Sequence, residues 1–335
     1  MTRIVVDAMG GDNAPLVNVL GALESVKEAE NIKIVLVGRE KSIKECFDKY
    51  GASSKNIEIV DAAQVIETDE KPADAFRKKK ESSIAVGITL LKNKEVDAFV
   101  SAGNTGAVVA FSIFTLGRMK SVLRPALATF FPTAKGNILA LDVGATSDSK
   151  AINLLQFGIM GSIYFEKITG KEKPSVGLLS IGEESTKGKD LTYQVFSLLK
   201  KSHLNFIGNI EGNDILQGKA DVVVTDGFVG NVILKFGESL IKIVGRTIKE
   251  SLKRNFRYKI GGMLLLPALK SFFDKMSYEE YGGAALLGVN GVIIVSHGRS
   301  KPKAVKNAIL TARKNVEENV NEIISEKLKE TNIGV

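Results

Sequence analysis

Residues 96–117 read VDAFVSAGNTGAVVAFSIFTLG. An apolar strand, Val96 to Val100, breaks at Ser101-Ala102-Gly103-Asn104-Thr105-Gly106 and continues as an apolar helix. Gly103 and Gly106 let the backbone turn tightly and approach a ligand. The free N–H groups of a helix start, at the positive end of its dipole, suit an anion. Asn104 and Thr105 add side-chain donors at the same point, and phosphate is the anion that fits best. The same residues also suit an ordinary strand-to-helix turn with an Asn or Thr N-cap.

The pattern repeats. An apolar strand runs into a Gly-containing polar loop at IVVDAMGGDNAP (4–15), ILALDVGAT (138–146), VGLLSIGEESTKG (176–188) and VVVTDGFVGN (222–231). Strand and helix patterns alternate along the chain, which predicts an α/β fold: three layers, α/β/α, around a mainly parallel sheet. In an open parallel sheet such loops lie at the carboxyl ends of the strands, where ligands bind. Five of them predict one cleft lined from several sides.

With 335 residues the chain can form two modest domains around sizeable cores. It has no apolar run of 18 residues, so no membrane-spanning helix is expected. It enters a strand at Arg3 without a secretory leader pattern, and Cys46 is its single cysteine. Both point to the cytoplasm, with no disulfides and no cysteine-based metal cluster. The net charge of +8 favours an acidic protein, an anionic membrane surface or phosphate-bearing substrates. No helix-turn-helix, RNP or zinc-finger signature points to nucleic acid.

Along the chain, a helix is expected from Pro15 to about Glu30, and a strand at 32–37. A short helix at 41–50 carries Cys46 as core filler. The run Arg77-Lys78-Lys79-Lys80 reads as a solvated helix face or as a docking patch for an acidic carrier protein. Gly136-Asn137 signals a turn before a strand at 138–143. A helix at 151–168 is rich in small residues and could pack closely on another helix, across a dimer for instance. One long helix is expected at 229–255. After it, Met263, Leu264, Leu265, Leu266 and Leu269 lie in an apolar run flanked by Lys and Arg. That run is too short to span a bilayer; it suits a membrane interface or a helical hairpin buried in a dimer. Residues 281–287 read as a loop into a helix start, 292–295 as the last strand, and 302–329 as one terminal helix. The expected units are 1–124 plus 281–335, and 125–280 with a protruding tip at about 253–276.

Familiar catalytic motifs are missing. No GxGxxG follows the first strand, and the Gly182–Asp190 loop has the wrong spacing for a P-loop. There is no GxSxG elbow, and His203 and His297 are the only histidines. An enzyme without an obvious protein nucleophile is reasonable if phosphate itself attacks a carbonyl. The protein must then position phosphate and stabilise the developing oxyanion. Asn104, Thr105, Lys187 and Asn231 are suitable donors, with Lys187 neutralising phosphate unless it simply faces solvent. Asp226 orients a donor or acts as a base; an N-cap or Asx turn is the alternative. His297, in a loop after a strand, is the better placed of the two histidines.

Taken in order, DAMGGDNAP, SAGNTGA, LDVGA, the Lys187-Gly188 loop, TDGFVGN and YGGAALLG closely resemble the bacterial acyl-acyl-carrier-protein:phosphate acyltransferases of phospholipid synthesis. The resemblance covers almost the whole chain. It implies transfer of a fatty acyl group from acyl carrier protein to inorganic phosphate, giving acyl phosphate, with no organic cofactor and no metal. It implies a fold similar to phosphotransacetylases and to the isocitrate/isopropylmalate dehydrogenases, a homodimer, and peripheral attachment to the inner face of the membrane through the tip at Met263 to Leu269. Asn104, Lys187, Asp226 and Asn231 would be catalytic. Asp7, Gly10, Gly11, Ser101, Gly103, Thr105, Gly106, Asp142, Gly188, Gly227 and His297 would line the phosphate and substrate site. The chain departs from the family pattern at Asn13, Thr146, Ala285 and Arg299. A coenzyme A-dependent phosphotransacetylase, a dehydrogenase on the same scaffold and a non-catalytic membrane scaffold for lipid enzymes are the competing readings.

Overall fold

The computed structural model describes residues 1–50, 55–133, 135–253, 255–276 and 282–330. The first half runs β1 (Thr2–Asp7), α1 (Leu16–Glu28), β2 (Ile32–Gly38), α2 (Glu40–Lys49), β3 (Ile57–Asp61), α3 (Pro72–Lys78), α4 (Ser83–Lys92), β4 (Ala98–Ser101) and α5 (Thr105–Phe111). A π-helical turn, Ser112–Leu116, extends α5. The second half runs β5 (Ala126–Thr133), β6 (Gly136–Leu141), α6 (Ala151–Thr169), β7 (Ser175–Leu179), α7 (Asp190–Lys201), β8 (Asn205–Ile210), α8 (Gly212–Gln217), β9 (Val222–Val224), α9 (Gly227–Lys253), α10 (Phe256–Met276), β10 (Ala284–Leu287), β11 (Val292–Val295), α11 (Pro302–Glu317) and α12 (Val320–Glu330).

The strands form one 11-stranded sheet in the order β3-β2-β1-β4-β11-β10-β5-β6-β9-β7-β8. Residues alternate between its faces, as the two-residue strand period requires. Ile4, Val6, Val100, Leu139, Leu141 and Val224 face one apolar layer, with α1, α6 and α11. Val5, Phe99, Leu127, Ala140, Val223 and Ile293 face the other, with α4 and α5. The α/β reading and the mainly parallel sheet therefore hold.

Strand direction divides the sheet. β3, β2, β1, β4 and β11 run parallel to one another. β6, β9, β7 and β8 form a second parallel block. Between them β10 pairs antiparallel with both β11 and β5, and β5 antiparallel with β6. Three reversals mean that the two blocks point in opposite directions. The loops that were expected to line one cleft therefore leave opposite edges of the sheet. The line between the expected units falls at the β10–β5 pairing, and the sheet runs unbroken across it.

Several elements differ from the sequence reading. Residues 284–287 form β10, not a helix start, because Gly282, Gly283 and Gly288 take φ of 71°, 85° and 90° and prevent a helix from continuing on either side. Gly136 and Asn137 belong to β6, paired with Thr133 and Pro132, so the turn comes earlier. The terminal helix breaks into α11 and α12 at Asn319, which has φ of 49°. The small residues of α6 pack inside the chain: a Cβ on Gly161 would meet Leu141 at 2.7 Å, and one on Gly158 would meet Leu199 at 3.1 Å. That face serves the sheet and α7, not a dimer.

α9 and α10 form a hairpin. Gly262 lies against Leu252 and Gly245 against Phe273. Leu264 is 80% exposed, and Met263, Leu265 and Leu266 are also exposed, while Leu269 is half-buried. Consecutive helical residues are spaced about 100° apart, so these four point around most of the helix. α9 alone cannot cover them. On α9 itself Phe228, Val232, Phe236, Leu240 and Val244 are exposed at four-residue spacing, which makes a second apolar stripe. Among the described residues no helix is long and apolar enough to cross a membrane.

Candidate active site

One polar cluster gathers at the carboxyl ends of β1, β4 and β11. Asp7 is buried at the end of β1 and accepts hydrogen bonds from Ser101 Oγ (2.7 Å) and from the Met9 amide (3.1 Å). Ser101 in turn accepts from the Gly103 amide at 3.0 Å. Gly10 and Gly103 are indispensable to this closeness: a Cβ on Gly10 would lie 2.6 Å from both Asp7 Oδ2 and Gly103 N. Gly11, with φ of 95°, approaches the carbonyl of Gly298, which also accepts from the Asp12 amide.

Asn104 caps α5, its Oδ1 accepting from the Ala107 amide at 3.0 Å. Its Nδ2 donates to the carbonyls of Glu67, Thr68 and Glu70. Both ends of that side chain are thus engaged in holding the segment before α3 onto α5, the N-cap arrangement that the sequence left open. Gly106 sits against Pro72 at the same junction. Thr105 is the first residue of α5. His297 accepts from the Arg299 amide and lies 3.4 Å from Glu238 of α9.

Burial pushes the Asp7 carboxyl above its ordinary pKa, partly offset by hydrogen bonds from Ser83, Ser101 and the Met9 and Gly10 amides. The folded state then holds this proton more tightly than the unfolded chain. Its contribution to stability is present below the unfolded value near 3.8 and is lost as pH rises through the higher folded value. We expect Asp7→Asn, which is isosteric and uncharged, to flatten this dependence. Its stability relative to the parent should rise from pH 4 to pH 7, measured by urea midpoints.

The second cluster lies at the carboxyl ends of β6, β7 and β9. Asp142 Oδ1 accepts from the amides of Leu127, Gly144 and Ala145, and Oδ2 from that of Thr146 at 2.6 Å. This ties the 142–146 loop into a fixed turn. The start of α9 lies directly on it. Gly227 N donates to Thr146 O, and Asn231 Nδ2 donates to Val143 O at 3.0 Å. A Cβ on Gly227 would lie 2.5 Å from Asp142 Oδ2. Asp226 caps α9, accepting from the Val229 amide at 2.9 Å. Its other oxygen is 3.6 Å from Lys189 Nζ. Lys187 is exposed on the neighbouring loop, its chain packed over Gly182.

Beside Asp226 and Lys189 opens a cavity of about 560 Å³, walled mainly by Leu, Ile and Val. Of the residues expected from the sequence, Gly188 and Asp226 line this cavity; Asp142, Gly227 and Asn231 form the buried contact between the 142–146 loop and the start of α9, and Lys187 is exposed on the adjoining loop. The structure places Asp7, Gly10, Gly11, Ser101, Gly103 and Asn104 at the other edge of the sheet. α9 spans the two, with Asp226 at one end and Glu238 beside His297. Twelve helical residues separate these points, or about 18 Å. Among the described residues no group of three or more His, Cys, Asp or Glu side chains could hold a metal ion.

A sequence model of the family described as "Fatty acid synthesis protein" matches residues 2–323. The phosphate acyltransferase of Heliobacterium modesticaldum is 49% identical over 327 residues, covering 97% of each chain. That of Halothermothrix orenii is 47% identical over 328 residues, covering 97% of this chain and 98% of its own. This chain belongs to the phosphate acyltransferase family of fatty acid synthesis proteins. Among solved structures, a phosphotransacetylase from Streptococcus pyogenes superposes with a TM-score of 0.63 at 16% identity, covering 94% of each chain, which shows a shared fold.

Two features of this phosphate acyltransferase family member were not visible in its sequence. Lys189, not Lys187, is the cation that faces Asp226. The only sequence signal was its place immediately before the α7 pattern, where any polar residue would serve. The cavity is formed by residues from α6, β7, α7 and α9 that lie far apart in the chain. Periodicity marks each as apolar but not which of them share a void.

Proposed function

We propose that this enzyme transfers a fatty acyl group from the thiol of acyl carrier protein to inorganic phosphate, at the opening flanked by Lys189, Lys187 and Asp226. A phosphate oxygen attacks the thioester carbonyl. The new C–O bond forms, the C–S bond breaks, and the phosphate proton leaves with the carrier thiol, giving acyl phosphate and free thiol. Lys187 and Lys189 neutralise the phosphate, and Asp226 positions Lys189. Asn231, seated on the Val143 carbonyl, keeps the oxyanion side of the loop rigid. No organic cofactor takes part. The observation that carries this reading is an apolar cavity of acyl dimensions opening beside a Lys–Asp pair, within a family matched over nearly the full chain. Ligand sites commonly enclose about 300–1,000 Å³.

The exposed apolar faces support a reading of the partners. The α9 stripe meets a second copy in a homodimer, and Met263 to Leu266 enter an anionic membrane surface from the cytoplasmic side. Exposed apolar surface of this extent marks an interaction site. Two charges in the lipid-facing turn should abolish the attachment. A Leu264→Glu, Leu265→Glu protein is expected to stay in the dense fraction during flotation with anionic vesicles; flotation equal to the parent's would refute the membrane role.

The reaction is tested with palmitoyl acyl carrier protein, with and without phosphate, following free thiol and trapping acyl phosphate with hydroxylamine. Phosphate-dependent formation of both products supports the proposal. Turnover of acetyl-coenzyme A but not of the carrier thioester would favour a short-chain phosphotransacetylase instead. Strong vesicle binding with no turnover of either would favour a scaffold.

A further inference from the structure

The cavity beside Lys189 has a floor and a mouth of different chemistry. Leu154 of α6 and Leu178 of β7 form its deep end and are only 3% and 2% exposed. Ile181 and Lys189 stand at its rim, 83% and 68% exposed. Val229 and Ile233, on the first turns of α9, form one wall next to Asp226. The polar side chains on the lining are Ser180, Lys189, Thr192, Thr225 and Asp226, of which Thr192, Thr225 and Asp226 are buried.

We infer that this cavity holds the fatty acyl chain, methyl end on Leu154 and Leu178, carbonyl at the Lys189–Asp226 rim, and that its depth sets the chain length. The inference rests on the acyl-transfer reading above and deepens it by placing the acyl group. The lining disfavours the alternative occupants. A pantetheine arm carries more amide donors and acceptors than Thr192 and Thr225 can pair, and those left against Leu, Ile and Val side chains are costly. A phosphate cannot be desolvated there. The reversed orientation is disfavoured too, because it would carry the thioester, and the carrier attached to it, past the charged rim into the apolar end.

Each methylene taken into a fitted apolar pocket can raise affinity by up to about fourfold, from about 0.8 kcal/mol per buried CH₂. Filling the floor should therefore penalise long chains selectively. The experiment compares kcat/KM for octanoyl, dodecanoyl and palmitoyl carrier thioesters, with saturating phosphate, in the full-length protein. In Leu154→Phe the palmitoyl-to-octanoyl ratio of kcat/KM is expected to fall at least about tenfold. Leu154→Met, of similar volume, should leave the ratio unchanged. Ile233→Trp, at a half-buried wall position, should lower the same ratio and supplies the test if the buried Phe prevents folding. An unchanged ratio in an active variant overturns the pocket assignment and leaves the acyl-transfer reading standing. Absence of phosphate-dependent thiol release at every chain length in the parent overturns both.

Discussion

Gly230→Ala should destabilise the protein by about 4 kcal/mol. A Cβ at this position would lie 2.0 Å from the carbonyl oxygen of Asp142 and 3.0 Å from its carbon. The obstacle is backbone, not the end of a flexible side chain, so α9 would have to move off the 142–146 loop. That movement breaks the Gly227 N to Thr146 O and Asn231 Nδ2 to Val143 O hydrogen bonds. Overpacking costs about 1–3 kcal/mol and each buried group left unpaired about 1–3 kcal/mol more. The sum is on the order of 4 kcal/mol, a large share of the roughly 5–15 kcal/mol that holds a domain folded. Gly237→Ala, on the same helix with nothing within 4 Å of its Cβ, is the control. It should stabilise by up to about 1 kcal/mol through helix propensity. Urea midpoints of the two variants should move in opposite directions; equal midpoints would mean that α9 does not seat on this loop.

Asp226→Asn should lower turnover about a hundredfold with little change in stability. The amide oxygen of Asn can still cap α9 through the Val229 amide, so the fold is retained. The charge that holds Lys189 at the rim is lost. Lys189→Ala removes the cation itself and should cost about 10²–10³ in kcat/KM, the range for one oxyanion-stabilising donor. Because the two residues act as one unit, the double variant should lose little more than Lys189→Ala alone. Asp226→Ala separates the structural role: it also loses the cap and should unfold about 1 kcal/mol more easily. The KM for phosphate should rise in both Lys189 and Asp226 variants, an effect that a purely structural role for Asp226 would not produce.

Most elements of the fold were legible because apolar periodicity and Gly punctuation are local. α2 at Glu40–Lys49, α6 at Ala151–Thr169 and β11 at Val292–Val295 fall where their patterns place them. β10 was hidden because Ala284-Ala285-Leu286-Leu287 carries helix-forming residues, and only the positive φ of the flanking glycines excludes a helix. Strand direction was hidden for a different reason. Nothing local in Ala126–Thr133 or Ala284–Leu287 says that each will pair antiparallel with its neighbours. Those two strands decide that the SAGNTGA turn and the Asp226 loop leave opposite edges of the sheet. For the same reason Asn104 looked like a ligand donor. Its amide partners at Glu67, Thr68 and Glu70 lie more than 30 residues earlier in the chain. The strand-to-helix break at Thr225-Asp226-Gly227 was legible locally, and Asp226 caps α9 there while Asn231 holds the Val143 carbonyl. Lys189 needed the tertiary structure to be distinguished from Lys187.

The most direct test of phosphate as the nucleophile uses inorganic phosphate labelled with ¹⁸O at all four oxygens. The protein is incubated with palmitoyl acyl carrier protein and the product followed by mass spectrometry. Acyl phosphate retaining all four labels, formed in step with free carrier thiol, is the expected result, because the C–O bond made is to a phosphate oxygen and no P–O bond breaks. Palmitate carrying solvent oxygen, released at the same rate without phosphate, would contradict it and make the protein a thioesterase.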